Sequence, residues 1–231
     1  MAKIMDLLGE FLREIEKDNP YKLIAKGGTT LSLFYLNRHR ESEDLDFDTA
    51  LDKSKHKSIE SYFLSILDQL KKKGTLKSYR KGKSGLAATD RYHINLVLET
   101  HKEFSTKIDV DFVKPAKNLK KKGNLFYYPI ERIFIGKAIT FVNRKEFKDI
   151  YDIRHMLPKL NLETFRGNLN VIKLIDDLIN AIKEENIAAL YKDAFRNVDL
   201  RFKDLKESQI ETFISELIRD LRIFGNKIKE R

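Results

Sequence analysis

The sequence has no cysteine and no tryptophan, and its 231 residues include only 4 prolines and 10 glycines. Without cysteine there is no disulfide framework and no thiolate metal site. The longest apolar run, Ile187–Tyr191, has five residues, far short of the roughly 20 that a membrane-spanning helix needs. Met1–Lys17 mixes charged with apolar residues and has no signal-peptide core. We therefore expect a soluble, cytoplasmic protein with no membrane partner.

Apolar residues are plentiful, and the charge is distributed unevenly. Hydrophobic residues make up 42% of the chain, which excludes an intrinsically disordered protein. Residues 1–50 carry 7 basic and 10 acidic side chains, residues 51–160 carry 25 and 12, and residues 161–231 carry 13 of each. The whole excess of +10 therefore belongs to the middle of the chain. Such a field attracts polyanions, although it can also serve solubility alone.

Two basic stretches, Lys71–Lys83 and Lys114–Lys122, account for much of this excess. The aromatic residues near them are Tyr79, Tyr92, Phe126, Tyr127 and Tyr128. Aromatic rings beside basic side chains can stack single-stranded bases. A nucleic-acid partner is one interpretation of this pattern, and a solvated basic face is the other.

The spacing of apolar residues predicts both strands and helices before Pro129 and only helices after it. The predicted strands are Asp44–Thr49, Leu76–Tyr79, Arg91–Leu98 and Thr106–Val113, with a turn around Lys81–Gly85. The predicted helices are Met5–Lys17, Ser58–Lys73, Ile130–Val142, Phe147–Leu157, Leu169–Lys183, Ile187–Phe195 and Glu207–Lys229. This order predicts an α+β fold, with a small mixed sheet flanked by helices and then a C-terminal helical bundle. We place the domains at 1–125 and 126–231, with Lys114–Gly123 as the linker.

The segment Lys26–Phe47 combines two features that suit phosphate chemistry. Gly27 and Gly28 allow close approach of a ligand and lead into a helix, capped by Thr29 or Thr30, whose N-terminus favours an anion. Asp44 and Asp46 follow on one face of a strand, at a spacing that can hold a pair of hard cations. Together these features predict a nucleotidyltransferase. The alternative is a capped helix followed by an acidic edge strand.

These residues resemble the AbiEii/AbiGii-type nucleotidyltransferase-like toxins of bacterial toxin–antitoxin and abortive-infection systems. The matching segments are Gly27-Gly28-Thr29-Thr30-Leu31, Arg40-Glu41-Ser42-Glu43-Asp44-Leu45-Asp46-Phe47, Lys107-Ile108-Asp109-Val110 and the stretch from Lys137 to Ile153. In the last segment, Ala138 lies two positions earlier than the family pattern places its alanine. The resemblance extends from about Tyr21 to Leu157 and implies a nucleotidyltransferase-like first domain.

The resemblance also implies the roles of individual residues. The catalytic set is Asp44, Asp46, Asp109, Lys137 and Asp152, the Mg²⁺ ligands are Asp44, Asp46 and Asp109, and the nucleotide-binding set is Gly27, Gly28, Thr29, Arg40, Ser42 and Lys137. Asp111 is the alternative third carboxylate, because it lies on the same strand face. Arg40 would either bind phosphate or brace an acid, and Ser42 would either contact phosphate or act as a turn residue.

Two further expectations concern geometry. Lys137 and Asp152 are 15 residues apart, so one straight helix would separate them by roughly 22 Å. If both serve one site in the cleft, as the resemblance implies, the helix must break near Arg144–Phe147. The five histidines show no metal-ligand spacing, and we expect His39 to be a surface or loop residue.

The resulting hypothesis is a Mg²⁺-dependent toxin that transfers a nucleotide from a nucleoside triphosphate to a tRNA-like RNA acceptor. The resemblance adds a cognate antitoxin as a possible partner. Two alternatives stay open: nucleotide transfer to a protein side chain, and an inactive nucleic-acid-binding module. A cluster of like charges is costly to maintain, which argues against the inactive module.

Overall fold

The computed structural model describes residues 4–196 and 205–229. The chain forms two compact units. The first comprises the chain up to Asn37 together with Glu41–Pro129, and the second comprises Arg38–Arg40 and the chain from Ile130 onward. The predicted α+β class is confirmed. Within the described ranges, no helix is long and apolar enough to cross a membrane.

The first unit is built on a mixed seven-stranded sheet. Its strands are β1 (Ile24–Lys26), β2 (Leu45–Thr49), β3 (Ser78–Leu86), β4 (Arg91–Glu99), β5 (Glu103–Phe112), β6 (Lys120–Lys122) and β7 (Leu125–Tyr127). They lie in the order β3-β4-β5-β2-β1-β7-β6. The pairs β2–β5 and β1–β7 are parallel, and the other neighbours are antiparallel. Parallel pairing of β2 with β5 joins segments that are about 60 residues apart in sequence.

Three helices belong to the first unit: α1 (Ile4–Lys17), α2 (Gly27–Phe34) and α3 (His56–Lys72). Both α1 and α3 are amphipathic, and their apolar faces are buried in the core beside the sheet. Rings from three elements meet there, since Phe63 lies 5.7 Å from Phe11 and 5.6 Å from Phe47. Alternation along β2 buries Leu45 and Phe47 in this core. The intervening aspartates consequently project from the other face of the sheet.

The second unit is helical. Its helices are α4 (Ile130–Arg144), α5 (Phe147–Met156), α6 (Leu169–Glu184), α7 (Ile187–Arg196) and α8 (Ile210–Lys229), with short 3₁₀ turns between some of them. All five were predicted from apolar periodicity, with boundaries that differ by up to three residues. The rings of Phe134, Phe165 and Phe224 pack with centroids 5.6 to 5.9 Å apart. This aromatic cluster joins α4, α8 and the segment before α6 in one core.

Four details differ from the sequence predictions. The turn expected around Lys81–Gly85 is absent, because β3 continues to Leu86, with Gly82 in a register shift between Lys81 and Ser84 and Gly85 paired with His93. The expected linker Lys114–Gly123 contains β6, so it is partly a strand. Strands β1, β6 and β7 were not predicted, since each has only three residues. Helix α2 begins at Gly27, with Lys26 at the cap position, so neither Thr29 nor Thr30 is the cap.

Candidate active site

Four aspartates of β2 and β5 lie on one face of the sheet in the first unit, a fifth directly precedes β2, and we call the five the acid face. They are Asp44, Asp46, Asp48, Asp109 and Asp111. Asp46 is opposite Asp109 and Asp48 is opposite Asp111 in the parallel pairing of β2 and β5. Residues in register on neighbouring strands are about 4.8 Å apart, so the fold places carboxylates from two distant segments side by side.

Two members of the acid face are held by cations and a phenol. Lys26 contacts both Asp48 and Asp111, and Arg91 donates to both Asp111 oxygens at 2.6 and 2.8 Å. The Tyr128 hydroxyl donates to Asp48 at 2.6 Å. Burial would raise the pKa of Asp111, but Arg91 and Lys26 outweigh it and hold that pKa below its ordinary value. These contacts describe a structural ion-pair network around Asp48 and Asp111.

Asp109 has a different environment, which favours it over Asp111 as the third carboxylate. It is 3% exposed, and its Oδ2 lies 2.9 Å from the Lys107 ammonium and 3.9 Å from Arg91. Its Oδ1 is buried and accepts no hydrogen bond from any residue that the structure describes. A buried carboxylate oxygen without a donor costs about 1–3 kcal/mol or more. A further ligand at Oδ1 would remove this desolvation penalty.

Asp44 and Asp46 complete the predicted metal set. Asp44 lies just before β2, and its Oδ1 accepts a hydrogen bond from the Lys107 backbone N–H at 3.2 Å. Within residues 4–196 and 205–229, no three histidine, aspartate or glutamate side chains are arranged closely enough to hold a metal ion. The donor set nevertheless suits Mg²⁺, because carboxylate oxygens are its preferred protein ligands and Asp109 Oδ1 is unsatisfied. Metal binding by these residues stays a prediction.

Gly27 lies against Asp46 at the start of α2. Its φ is 76°, and a Cβ at this position would overlap the Asp46 carboxylate and lie 2.9 Å from its Cγ. Lys26, at the cap position of α2, makes no side-chain capping hydrogen bond, and the first N–H groups of a helix favour an anion. The predicted phosphate cradle and the predicted metal ligand are thus immediate neighbours.

Gly27→Ala is expected to lower nucleotide-transfer activity by about 10²-fold, because the new methyl group must displace the Asp46 carboxylate. Gly74→Ala is the matched control, since Gly74 has a φ of 74° and no atom within 4 Å of the added Cβ. Gly74→Ala should lose about 1–2 kcal/mol of stability from the left-handed backbone, and Gly27→Ala should lose more because of the clash with Asp46, both measured by urea unfolding. Equal activity in the two variants would show that the position of Asp46 is unimportant.

The hydroxyls of Thr29 and Ser42 are both buried. Thr29 Oγ1 lies 3.0 Å from Ser42 Oγ and donates to the Asp44 carbonyl. These bonds fasten the segment that precedes β2 to helix α2. The hydroxyls of Thr29 and Ser42 thereby position the backbone that carries Asp44.

An open cavity of about 350 Å³ lies beside Asp44 in the same unit and is also lined by Asn95 and Lys107.

The second unit contains a buried cluster of charges around Asp152. Arg40 donates to its two oxygens at 2.6 and 2.7 Å, and Lys137 lies 2.8 Å from Oδ2. His39 Nε2 is 2.7 Å from Oδ1. Lys137 also donates to Asp149 at 2.8 Å. Asp152 and Asp149 are wholly buried. Their ion pairs with the basic side chains therefore form inside the protein.

The opposite charges of this cluster stabilise the ionised forms of Asp152 and Lys137. Burial would raise the pKa of Asp152, but Arg40 and Lys137 hold it well below its ordinary value. Burial would likewise lower the pKa of Lys137, and the two carboxylates outweigh that effect and raise it. Lys137 is therefore a permanent cation with 10% of its side chain exposed. Two of its three N–H donors face carboxylates, which leaves one for another acceptor.

The helix break required by the sequence argument is present. Helix α4 ends at Arg144, Lys145 has a φ of 56°, and α5 begins at Phe147. The chain reverses there and brings Lys137 and Asp152 into contact. We expected Arg40 either to bind phosphate or to brace an acid. In the structure it pairs with the acid Asp152.

His39 lies in an irregular segment between α2 and β2, as one half of the expectation had it, but it is not on the surface. It is 7% exposed and stacks on Tyr151, with ring centroids 5.8 Å apart. Burial lowers its pKa against the opposing effect of Asp152. Nothing in the sequence marked His39 except its position beside Arg40. Asp149 was also missed, although its place three residues before Asp152 puts both on one helix face.

Comparisons with known proteins identify the family and the fold. A family model described as "Nucleotidyl transferase AbiEii toxin, Type IV TA system" matches residues 10–227. The solved structure of JHP933 from Helicobacter pylori has a TM-score of 0.71 and 18% identity, covering 99% of this chain and 94% of that one. A proposed nucleotidyltransferase from H. pylori has a TM-score of 0.67 and 19% identity, covering 99% and 97%. No curated protein matches the sequence.

Proposed function

The chain belongs to the AbiEii family of nucleotidyl transferase toxins of type IV toxin–antitoxin systems, and on that premise we propose that it transfers a nucleotide from a nucleoside triphosphate to an RNA hydroxyl. Nucleotidyltransferase activity follows from the family. The RNA acceptor, the requirement for Mg²⁺ and a cognate antitoxin are parts of the proposal. The observation that carries it is the pairing of Asp46 with Asp109, whose Oδ1 is unsatisfied, beside the N-terminus of α2.

In the proposed reaction, the acceptor oxygen forms a bond to the α-phosphorus while the bond from that phosphorus to the pyrophosphate oxygen breaks. The Asp109 carboxylate accepts the proton of the attacking hydroxyl. Backbone N–H groups at Gly27 and Gly28 bind a phosphate oxygen at the start of α2. Asp44, Asp46 and Asp109 would hold Mg²⁺, which when bound would neutralise charge on the triphosphate and on the leaving pyrophosphate.

The buried cluster supplies positive charge in this proposal. The family resemblance assigns Lys137 to the triphosphate as a point cation, and within its own unit Lys137 keeps one N–H that faces neither carboxylate. Asp152 has no exposed surface, so it acts as a positioning residue that holds Lys137 and Arg40. Arg40 lies four residues before Asp44 in the sequence. The charge cluster and the acid face therefore share one short stretch of chain.

An RNA acceptor is favoured by the charge distribution. Residues 51–160 carry 25 basic and 12 acidic side chains, and such an excess binds polyanions by counterion release. A single protein side chain is not a polyanion, so its binding would not be favoured by counterion release. The non-catalytic alternative leaves the buried, unsatisfied Asp109 Oδ1 without a purpose.

The proposal is tested by incubating the protein with each α-labelled triphosphate, Mg²⁺ and total RNA. Label should appear on RNA, and it should disappear in Asp44→Asn and persist in Asp177→Asn, which changes an exposed acid on α6. Label on protein would instead favour the side-chain acceptor. RNA binding without transfer of any nucleotide would favour the non-catalytic module.

A further inference from the structure

The two basic stretches differ in how far acidic side chains neutralise them. In Lys71–Lys83, four of the seven basic residues have a carboxylate partner. These pairs are Lys73–Glu14 at 2.5 Å, Lys77–Glu99 at 2.6 Å, Arg80–Glu103 at 2.9 Å and Lys81–Glu60 at 2.9 Å. In Lys114–Lys122, among the described residues, Lys122 alone has such a partner, Glu16 at 3.1 Å. Among the described residues, three of seven basic side chains in the first stretch and four of five in the second therefore have no carboxylate partner, and Lys120 and Lys121 of β6 are two of these four.

Aromatic rings accompany the same lysines. Phe34 and Tyr127 stack with centroids 4.7 Å apart and planes 14° apart, and Tyr35 meets the edge of Tyr127 at 6.0 Å. Lys120 Nζ lies 5.4 Å above the Tyr35 ring, and Lys121 Nζ lies 5.5 Å above Phe126. All four rings are half-buried, so part of each remains accessible.

The rings near the other basic stretch are either buried, as Tyr92 is, or flanked by neutralised cations, as Tyr79 is by Lys77 and Arg80. Tyr92 is 1% exposed and bonds to Glu60, and the Tyr79 hydroxyl donates to Asp68 at 2.9 Å. Of the aromatic residues singled out in the sequence, Phe126 and Tyr127 alone combine an accessible ring with unpaired lysines among the described residues. Uncompensated charge and accessible rings thus coincide at one edge of the sheet.

The β6–β7 hairpin that carries these groups is firmly fixed. At its turn, the Asn124 N–H and side-chain amide donate to the carbonyls of Glu16 and Lys17, each at 2.7 Å. Asn19 donates to the Asn124 carbonyl at 3.0 Å. The Tyr35 hydroxyl donates to the Tyr128 carbonyl at 2.9 Å. A surface fastened at both ends loses little conformational entropy when a ligand binds.

We propose that this edge of the sheet, which we call the β6 edge (Phe34, Tyr35, Lys120, Lys121, Phe126 and Tyr127), binds single-stranded RNA. The lysines neutralise phosphates, and the rings stack unpaired bases. A duplex keeps its bases stacked internally and gains only the phosphate contacts. The inference rests on the proposed function in one respect, because it identifies the bound RNA with the acceptor of the transfer reaction.

The experiment measures equilibrium binding of a fluorescein-labelled single-stranded RNA of about 12 nucleotides, by fluorescence anisotropy across a salt series, without triphosphate and with EDTA. Lys120→Gln/Lys121→Gln should make the slope of log K against log salt concentration shallower by about 1.4, or about 0.7 for each phosphate contact. Tyr127→Leu should weaken binding by about tenfold and change the slope little. Circular dichroism and thermal unfolding check that each variant folds.

The matched control is Lys71→Gln/Lys72→Gln, which removes the same charge from two exposed lysines at the end of α3. It should leave the slope within experimental error of the wild-type value. An equal loss in both double variants would overturn the proposal, because binding would then reflect net charge alone. Absence of RNA binding by the wild-type protein would overturn it too, and the lysines would then serve to keep an edge strand from pairing with other chains.

Binding and transfer fail separately in this design. If RNA binding maps to the β6 edge but no triphosphate is consumed, the proposed function is wrong and the docking surface stands. If RNA is labelled equally well by the wild type and by Lys120→Gln/Lys121→Gln, with unchanged slopes, transfer is supported and the β6 edge is excluded.

Discussion

Asp109→Asn is expected to reduce nucleotide transfer by about 10³-fold or more, because it removes both a metal ligand and the proton acceptor. Asp111→Asn, two residues further along the same strand face, is expected to keep activity within about tenfold of the wild type. The difference follows from their partners. Asp111 is occupied by Arg91 and Lys26, whereas Asp109 has a buried oxygen with no partner.

The measurement is kcat/KM for labelled triphosphate at saturating Mg²⁺, accompanied by urea unfolding. Asp111→Asn should lose about 1–2 kcal/mol of stability, because Arg91 and Lys26 lose a hydrogen-bonded partner. Asp109→Asn should lose less stability, or gain some, since its side chain is incompletely paired. The reverse pattern, with activity lost in Asp111→Asn and kept in Asp109→Asn, would exchange the roles of the two carboxylates.

Asp152→Asn is expected to destabilise the second unit by about 3–5 kcal/mol, as removal of one partner from a buried ion pair commonly does. Asp152 is wholly buried and faces Arg40, Lys137 and His39, so the substitution leaves two buried cations undercompensated. Urea unfolding, monitored by circular dichroism, measures the loss of unfolding free energy. Asp177→Asn, an exposed acid on α6, is the control and should stay within about 0.5 kcal/mol of the wild type.

A double-mutant cycle separates the ion pair from simple side-chain loss. Arg40→Gln/Asp152→Asn should be less destabilised than the sum of the two single variants, since neither charge then remains without its partner. Additive losses would mean that Arg40 and Asp152 do not interact energetically.

The same variant should change how stability depends on pH. Arg40 and Lys137 depress the pKa of Asp152 in the folded protein, while an unfolded aspartate titrates near pH 3.9. The carboxylate therefore contributes its full stability above about pH 5 and loses it progressively as the pH falls toward the folded pKa. Asp152→Asn should consequently show a shallower loss of stability than the wild type between about pH 5 and pH 2. Parallel curves would contradict the depressed pKa.

Local features of this protein could be predicted from sequence because their causes are local. Apolar residues at helical spacing marked α1 and all five helices of the second unit. Alternation marked β2 and placed Asp44 and Asp46 on one face. The reversal at Lys145 was predicted on a different basis: the family resemblance places Lys137 and Asp152 in one site, and one rigid helix would hold them apart.

Only the tertiary structure decided which side chains meet. Pairing of β2 with β5 is set by the packing of a whole sheet rather than by either segment, so the partners of Asp109 and Asp111 could not be assigned in advance. His39 is buried because a short segment of the chain joins the helical unit. The neutralisation of one basic stretch and not the other depends on glutamates from α1, α3 and the sheet. The sequence determined the chemistry available to this protein, and long-range packing decided which charges remain free to use it.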